Sequence, residues 1–568
     1  MPKKYLILTP LCHNRILKDF KRVKYLGGWC LNVDDSDSSE KTIKYHWDDR
    51  KKLASDYIFL DGLYEEFLRK MSRTLNKKHK LNEDNEFWRI IIGPWLGCFL
   101  HILFDRFEQL TKAIKDEPEI QIIAFKNLVI NKPKDTQDFA KNFIPSDYFN
   151  QFLFQFIAES LYQNRISYVT LEIEEAKFGE KYHQRTNTKS FFRNTFYKLI
   201  NRLAKNSRSF FYQDGLNLNS KLRLYFNERS IPFIGSIEKE FESENFQNSG
   251  NYDLDSFEEI AEFLVNKLIP LSYTKLYERY RSLGINKFPT SPKKLFTSLA
   301  YFQDDIFKIY AAEKKKQGSI FCIFQHGGNF GTTPFAFLEE HQIKSSTYWY
   351  SWGWKSEKFD NVIPVGNLRT KKTMREKSFF GSSRNKLLIV CMSLPRYSYC
   401  LYPVPLGPQY IQYLDFLGNF YNSLSLETQK KSIVRLHRGD FGWNQDKRWR
   451  RISKDVVFDK NSNIYKSVFS SKIVVVTYNA TTLIEMFFWN VPMILLLDEK
   501  YWELNEESKI VYDKLKKYSI FQTSPKECAD FIDSIWDDVD TWWYSPEVQK
   551  SRKAFLEIYS KHGDFKKL

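Results

Sequence analysis

After residue 318 the sequence settles into a pattern that few folds accommodate. Short apolar runs are separated by turn residues and helical patches, in the order "SIFCIF", "STYWYSW", "NVIPVG", "KLLIVCMSL", "SIVRLHR", "KIVVVT" and "MILLLD". Runs of this length bounded by Gly, Pro, Asn and Ser are strands. Strands that alternate with helices pair in parallel through crossovers, so the pattern implies a Rossmann-type α/β domain. Ligands of such sheets bind outside the carboxyl ends of the strands. Chemistry is therefore expected in the residues that follow each run.

Upstream the texture is different. "YLILT" is a first strand stopped by Pro10, a second apolar entry, "DYIFLDGL", appears near residue 56, and helical spacing dominates from about residue 84 to 310, as in "FNQFLFQFIAESLYQ". The prolines and the Ser/Thr pair of "GINKFPTSPKK" (284–294) mark a boundary loop, and "LFTSLAYFQDDIFKIYAAEKKK" reads as a helix leading out of it. A chain of 568 residues exceeds one ordinary core. The expectation is two domains, 1–290 with a helix-rich insertion and 291–568. "IIIGPWLGCFLHILF" (Ile90 to Phe104) is shorter than the roughly 20 residues that span a bilayer and contains Gly, Pro and His, so it reads as a buried helix.

Composition narrows the class. The N-terminus lacks the long apolar run of a signal peptide, and seven cysteines are scattered with no Cys-x-x-Cys pair, which points to reduced thiols in the cytoplasm. Lys and Arg total 86 against 69 Asp and Glu, a formal charge of +17. Such a balance suits a phosphate-bearing ligand, an anionic membrane face or nucleic acid. Lys, Asn, Ile, Phe and Tyr are all abundant, so an AT-rich coding sequence accounts for part of it. The positive residues form no long stripe and no nucleic-acid motif is present, so no nucleic-acid partner is expected.

Four segments carry candidate chemistry. If "KIVVVT" is a strand and "TTLIEMFFW" a helix, Tyr478 to Thr482 form a turn whose free N–H groups and positive dipole end favour an anion. Asn479, Thr481 and Thr482 add polar side chains, although Thr482-Leu-Ile-Glu485 is also a capping box that explains itself without a ligand. In "SIFCIFQHGGNFGTTPF" the strand runs into His326, Gly327, Gly328 and Asn329. Adjacent glycines let backbone approach a ligand closely, and Asn329 and Thr332 can start a helix; the alternative is a glycine-rich turn with a solvent-facing histidine. In "SIVRLHRGDFGW", strand alternation sets Arg435 and His437 on one side, with Arg438 adjacent. That cluster could neutralise a leaving phosphate, His437 donating a proton, or it could be surface charge. In "NEFWRIIIGPWLGCFLHILFDRF", Glu86 and Asp105 are carboxylates beside an apolar stretch, and His101 and Asp105 share a helix face. They could be catalytic or simply the polar ends of a core helix.

Asp35-Ser36-Asp37 matches a metal-binding Asp-x-Asp signature but sits in a polar run without a flanking strand, and no His-Glu-x-x-His, EF-hand or Cys/His cluster accompanies it. No metal and no cofactor is expected.

Taken together, "EFWRIIIGPWL" with "FDRF", "FQHGGNFG", "VRLHRGDFGW" and "TYNATTLIEMFFWNVPMILLLDEKYWEL" resemble the transferases encoded in bacterial O-antigen, capsule and flagellin-modification loci. That family is similar in architecture to metal-independent glycosyltransferases of the GT-B type, and by function to enzymes that transfer ulosonic acids such as pseudaminic acid or Kdo from CMP. The resemblance implies an α/β fold of two Rossmann-type domains, 1–290 on the acceptor side and 291–568 binding the nucleotide sugar. It implies a CMP-sugar donor, with UDP- or GDP-hexose as the alternative. The acceptor would be a glycan, lipid-linked in some pathways, and the protein cytoplasmic with peripheral contact at the inner membrane surface. Asn479, Thr481 and Thr482 would hold the donor phosphate, Glu485 the ribose, and Arg435, His437 and Arg438 the phosphate or the donor carboxylate. The His326 loop, with Gly327, Gly328 and Asn329, would face the cleft. Glu86 or Asp105 would be the nucleophile of a retaining reaction. "LHRGD" departs from the His-Pro of CMP-ulosonate transferases. A basic surface-binding protein without catalysis is the competing class.

Overall fold

The computed structural model describes every residue except 1–2, 13–21, 34–38, 127, 171–199, 236, 238–243, 248–252, 371–383 and 566–568. Asp35-Ser36-Asp37 lies outside the described residues.

Three parallel sheets organise the chain. Sheet I consists of β1 (Lys4–Ile7), β2 (Val23–Tyr25), β3 (Ile120–Lys126) and, beyond the short β4 (Val129–Asn131), β5 (Ile166–Thr170), in the order β2-β1-β3-β5. Sheet II contains β6 (Ser209–Phe211) and, after β7 (Asn245–Gln247), which pairs antiparallel with β4, the strands β8 (Lys294–Thr297), β9 (Ile320–Phe324), β10 (Tyr348–Ser351) and β11 (Val362–Pro364), in the order β11-β10-β9-β8-β6. Sheet III comprises β12 (Leu387–Val390), β13 (Ser432–Arg435), β14 (Ile473–Val476), β15 (Met493–Leu496) and β16 (Phe521–Gln522), in the order β13-β12-β14-β15-β16. Every strand pair within these three sheets is parallel. β9, β12, β14 and β15 are buried almost throughout, which is why they read as continuous apolar runs.

All seven runs read from the C-terminal half are strands, but they divide between two sheets. The boundary expected at 290/291 falls inside sheet II, because β6 on one side of it is a direct neighbour of β8 on the other. The Pro-rich stretch is a crossover leading into β8, and "LFT" is the end of that strand rather than the start of a helix. Three-residue β6 has no periodicity to betray it.

Helices fill the N-terminal half. α1 (Arg50–His79) starts where the Asp49 carboxylate accepts from the N–H groups of Lys51 and Lys52, and ends at Lys80 in the left-handed region. "DYIFLDGL" lies within it. α2 (Asn85–Asp116), capped by Asp84, is buried on all sides from Ile90 to Arg106. Its most apolar window is 94% buried inside the protein, so it is the expected core helix and not an exposed span. α3 (Asp147–Leu161), the helix read from "FNQFLFQFIAESLYQ", packs beside it. α4 (Asp305–Lys316) covers sheet II, while α5 (Thr481–Trp489), α6 (Glu506–Lys517) and α7 (Pro546–Tyr559) pack about sheet III.

After α7 the chain crosses to sheet II. Lys561 N–H donates to the Trp352 carbonyl, Asn367 N–H to that of Lys561, and Asp564 N–H to that of Val365. Gly366 (φ 85°) permits this, since a Cβ there would stand 2.4 Å from the His562 carbonyl oxygen.

Candidate active site

Sheets II and III meet at the carboxyl ends of their strands. The loop after β9 lies on the loop after β14, and a Cβ on Gly328 would stand 2.4 Å from the Ala480 carbonyl carbon and 2.6 Å from the Thr481 nitrogen. The bare glycine therefore serves the approach of one loop to another, where the sequence suggested the approach of a ligand. Gly327 is hemmed in differently, by the Phe330 ring.

Asn479 is the clasp of this junction. Its Nδ2 donates to Thr332 Oγ1 at 3.3 Å, and its Oδ1 accepts from the Tyr512 hydroxyl at 2.8 Å. A buried amide satisfied in this way joins the loops, which removes it from the set expected to hold phosphate. Asn329 starts no helix either: its carbonyl accepts from the Thr332 hydroxyl at 2.7 Å, and the next helix begins at Phe337.

The start of α5 is open. Its N-cap is Ala480, which offers no capping side chain, and Thr482 lies inside the first turn with its hydroxyl 2.6 Å from that of Tyr478. The capping box does not form. Among the described residues the N–H groups of Thr481 and Thr482 and the Thr481 hydroxyl have no hydrogen-bond partner. They stand at the crevice where strand order reverses between β12 and β14, the place where doubly wound sheets bind ligands. Burial pushes the Glu485 carboxyl, one turn on, up to about 7 against the pull of Arg369.

Arg369 is a residue of this junction that the sequence did not single out. It follows β11 and donates from Nη1 to the His326 carbonyl at 3.1 Å. Burial, reinforced by that guanidinium, pushes the His326 imidazole down to about 4, so the ring is neutral near pH 7. A cation immediately after the strand "NVIPVG" was the available signal. Glu339 was missed too: it accepts from Gly331 N–H at 3.0 Å, yet burial pushes it up to about 8.

On its other side His326 lines a cavity of about 290 Å³ at the carboxyl ends of β6, β8 and β9, with Tyr212, Gln213, Tyr301, Gln303 and Asp304 among the walls. Asp304 accepts from the Tyr212 hydroxyl at 2.9 Å. His326 Nδ1 is buried without a partner. A neutral imidazole, amides and aromatic faces around a small cavity suit a hydroxylated ligand, while the open helix start and Arg369 suit an anion.

The remaining expected residues lie elsewhere. Arg435 pairs with Asp459 and donates to the Asn461 carbonyl at 3.0 Å, and Arg438 donates to the Ser462 carbonyl. β13 stops at Arg435, so strand alternation never reaches His437, which is exposed, accepts from Gly439 N–H at 3.1 Å and stacks on Phe441. Of the three, Arg435 acts by its charge on Tyr478. Glu86 is exposed in the first turn of α2, 3.6 Å from Lys315. Asp105 is buried with Tyr45, His46 and Arg106. Both belong to the helical half, because α2 turns its polar ends to its own neighbours.

The model of a family described as LIC12162 family transferase matches residues 4–564. The chain belongs to that family. It is thus a transferase, and the family match spans all three sheets and the junction described above. No curated protein matches the sequence. Among solved structures, Acinetobacter baumannii MurG is 10% identical, with 59% of this chain and 83% of that one covered and a TM-score of 0.30; the wall teichoic acid polymerase TagF is 12% identical, with 50% and 80% covered and a TM-score of 0.27. These likenesses are slight, and the α/β architecture of this family member rests on its own strand order.

Proposed function

We propose that this transferase moves a glycosyl group from a nucleotide-activated donor to a hydroxyl of a glycan acceptor, across the junction of sheets II and III. The observation that carries the reading is the open start of α5 against the loop after β9, with Arg369 held on the His326 carbonyl and its charge acting on Glu485 one turn into α5. The donor phosphate takes the Thr481 and Thr482 N–H groups and the Thr481 hydroxyl, with Arg369 neutralising the charge that grows as the bond to the leaving nucleotide breaks. Glu485 accepts from the ribose. The acceptor enters the 290 Å³ cavity, and its attacking hydroxyl gives its proton to neutral His326. A cytidine base and an ulosonic acid rest on the resemblance in the sequence; uridine or guanosine with a hexose fits the same phosphate site.

The test is a thermal-shift titration with CMP, UDP, GDP and ADP. A nucleotide at about 100 times its dissociation constant stabilises the fold by roughly 2.7 kcal/mol. Thr481→Ala should weaken that nucleotide about ten- to a hundredfold, the worth of one hydrogen bond to a charged group. Equal affinity in the variant, or no shift with any nucleotide, would remove the assignment.

A further inference from the structure

The helix Leu218–Asn227 presents an apolar stripe to solvent. Leu218, Leu222 and Phe226 follow one another at intervals of four and are 62%, 59% and 85% exposed, while the opposite face, Ser220 and Leu224, is buried against sheet II. A further exposed side chain, Ile231 (39%), lines the same groove as Phe226 and is tied to Ser207 through hydrogen bonds of 3.0 and 3.4 Å. Single exposed apolar residues are ordinary; a stripe of three on one helix face is not.

The segment that carries the stripe is basic on balance. Between residues 201 and 235 the chain has six basic residues, Arg202, Lys205, Arg208, Lys221, Arg223 and Arg229, against two acidic ones, Asp214 and Glu228. Each acid is closed by a lysine, Asp214 by Lys221 and Glu228 by Lys294. Arg229 sits beside Phe226 in a shallow groove. Exposed leucines and phenylalanine rimmed by arginine and lysine match an interface whose interior is hydrocarbon and whose surface is anionic.

We propose that this face docks on an anionic lipid bilayer, Leu218, Leu222 and Phe226 entering the headgroup boundary and the surrounding cations meeting lipid phosphate. The placement has a consequence for the reaction, and that consequence rests on the function proposed above. Asn217, the N-cap of the helix, donates to the Leu368 carbonyl at 2.7 Å, next to Arg369, and Gln213 lines the cavity beside His326. A docked protein therefore holds its acceptor cavity near the lipid surface, where a lipid-linked glycan is presented.

The test is sedimentation of the full chain with vesicles of phosphatidylcholine alone and with phosphatidylglycerol added. Binding is expected to the anionic vesicles only and to fall as salt rises. The double variant Leu222→Glu with Phe226→Glu should lose at least about tenfold in vesicle binding, two apolar anchors being removed and two like charges added. Both positions are exposed, so its thermal transition and its nucleotide shift should match the parent's. Absence of binding to anionic vesicles, or undiminished binding by the double variant, would overturn the lipid assignment. So would a dimer in sedimentation equilibrium that the same variant dissolves, since the stripe would then belong to a second copy. Vesicle binding without any nucleotide shift would keep the docking surface and reject the glycosyl-transfer reading.

Discussion

Gly328→Ala is the most direct test of the junction between sheets II and III. The new methyl would stand 2.4 Å from Ala480 C, 2.5 Å from Ala480 O and 2.6 Å from Thr481 N. Carbon atoms reach their optimal separation at about 3.5 Å, so the loops must part by about 1 Å. All three neighbours are backbone, and no rotamer change can relieve them. Overpacking of this kind costs about 1–3 kcal/mol, and a displacement of 1 Å at reacting groups can cost about a hundredfold in rate. The variant should melt at a lower temperature, lose most of its nucleotide-induced shift, and turn over far more slowly. Gly62→Ala is the matched control: Gly62 lies inside α1 with nothing within 4 Å of the added Cβ, so the same substitution should gain up to about 1 kcal/mol. A Gly328→Ala protein as stable as its parent, with an undiminished nucleotide shift, would mean that the two loops do not touch in solution.

Glu339→Gln addresses burial of charge. The folded carboxyl titrates at about 8 against an ordinary 4.5, so the native state binds its proton more tightly, and stability from this group is complete below pH 4.5 and lost as pH rises through 8. The loss is roughly 3–5 kcal/mol, and glutamine should flatten it in melting curves taken from pH 5 to 9; parallel pH profiles for the two proteins would contradict the assignment. Arg369→Ala should raise both titrations that its charge holds down, His326 above 4 and Glu485 above 7, as followed by NMR; an unmoved His326 would separate Arg369 from the site. His326→Ala should depress turnover far more than donor affinity, and full activity would make its loop structural.

The legible parts were those written in local periodicity. "KIVVVT" and "TTLIEMFFW" gave a strand and a helix because four buried β-branched residues and a 3.6-residue spacing admit little else. The position of Thr481 at the open end followed from that pairing. The capping box was equally local and equally well formed as a pattern, yet the helix began two residues earlier, at an alanine cap, and the pattern went unused. Glu86 and Asp105 failed for a related reason: a carboxylate beside an apolar run looks the same whether it faces a cleft, a lysine such as Lys315 or a buried trio such as Tyr45, His46 and Arg106.

The order of strands and helices after residue 318, the buried character of α2 and the polar turns after β9 and β14 were determined by the sequence alone, since each depends on residues within a few positions of one another. Which strands share a sheet depends on pairings such as β6 with β8, across more than eighty residues. The candidate site assembles His326, Arg369 and Thr481 from three separate crossovers, and Gly328 matters only because Ala480 lies on it. Contacts of that range leave no period in the chain, so only the tertiary structure could decide them.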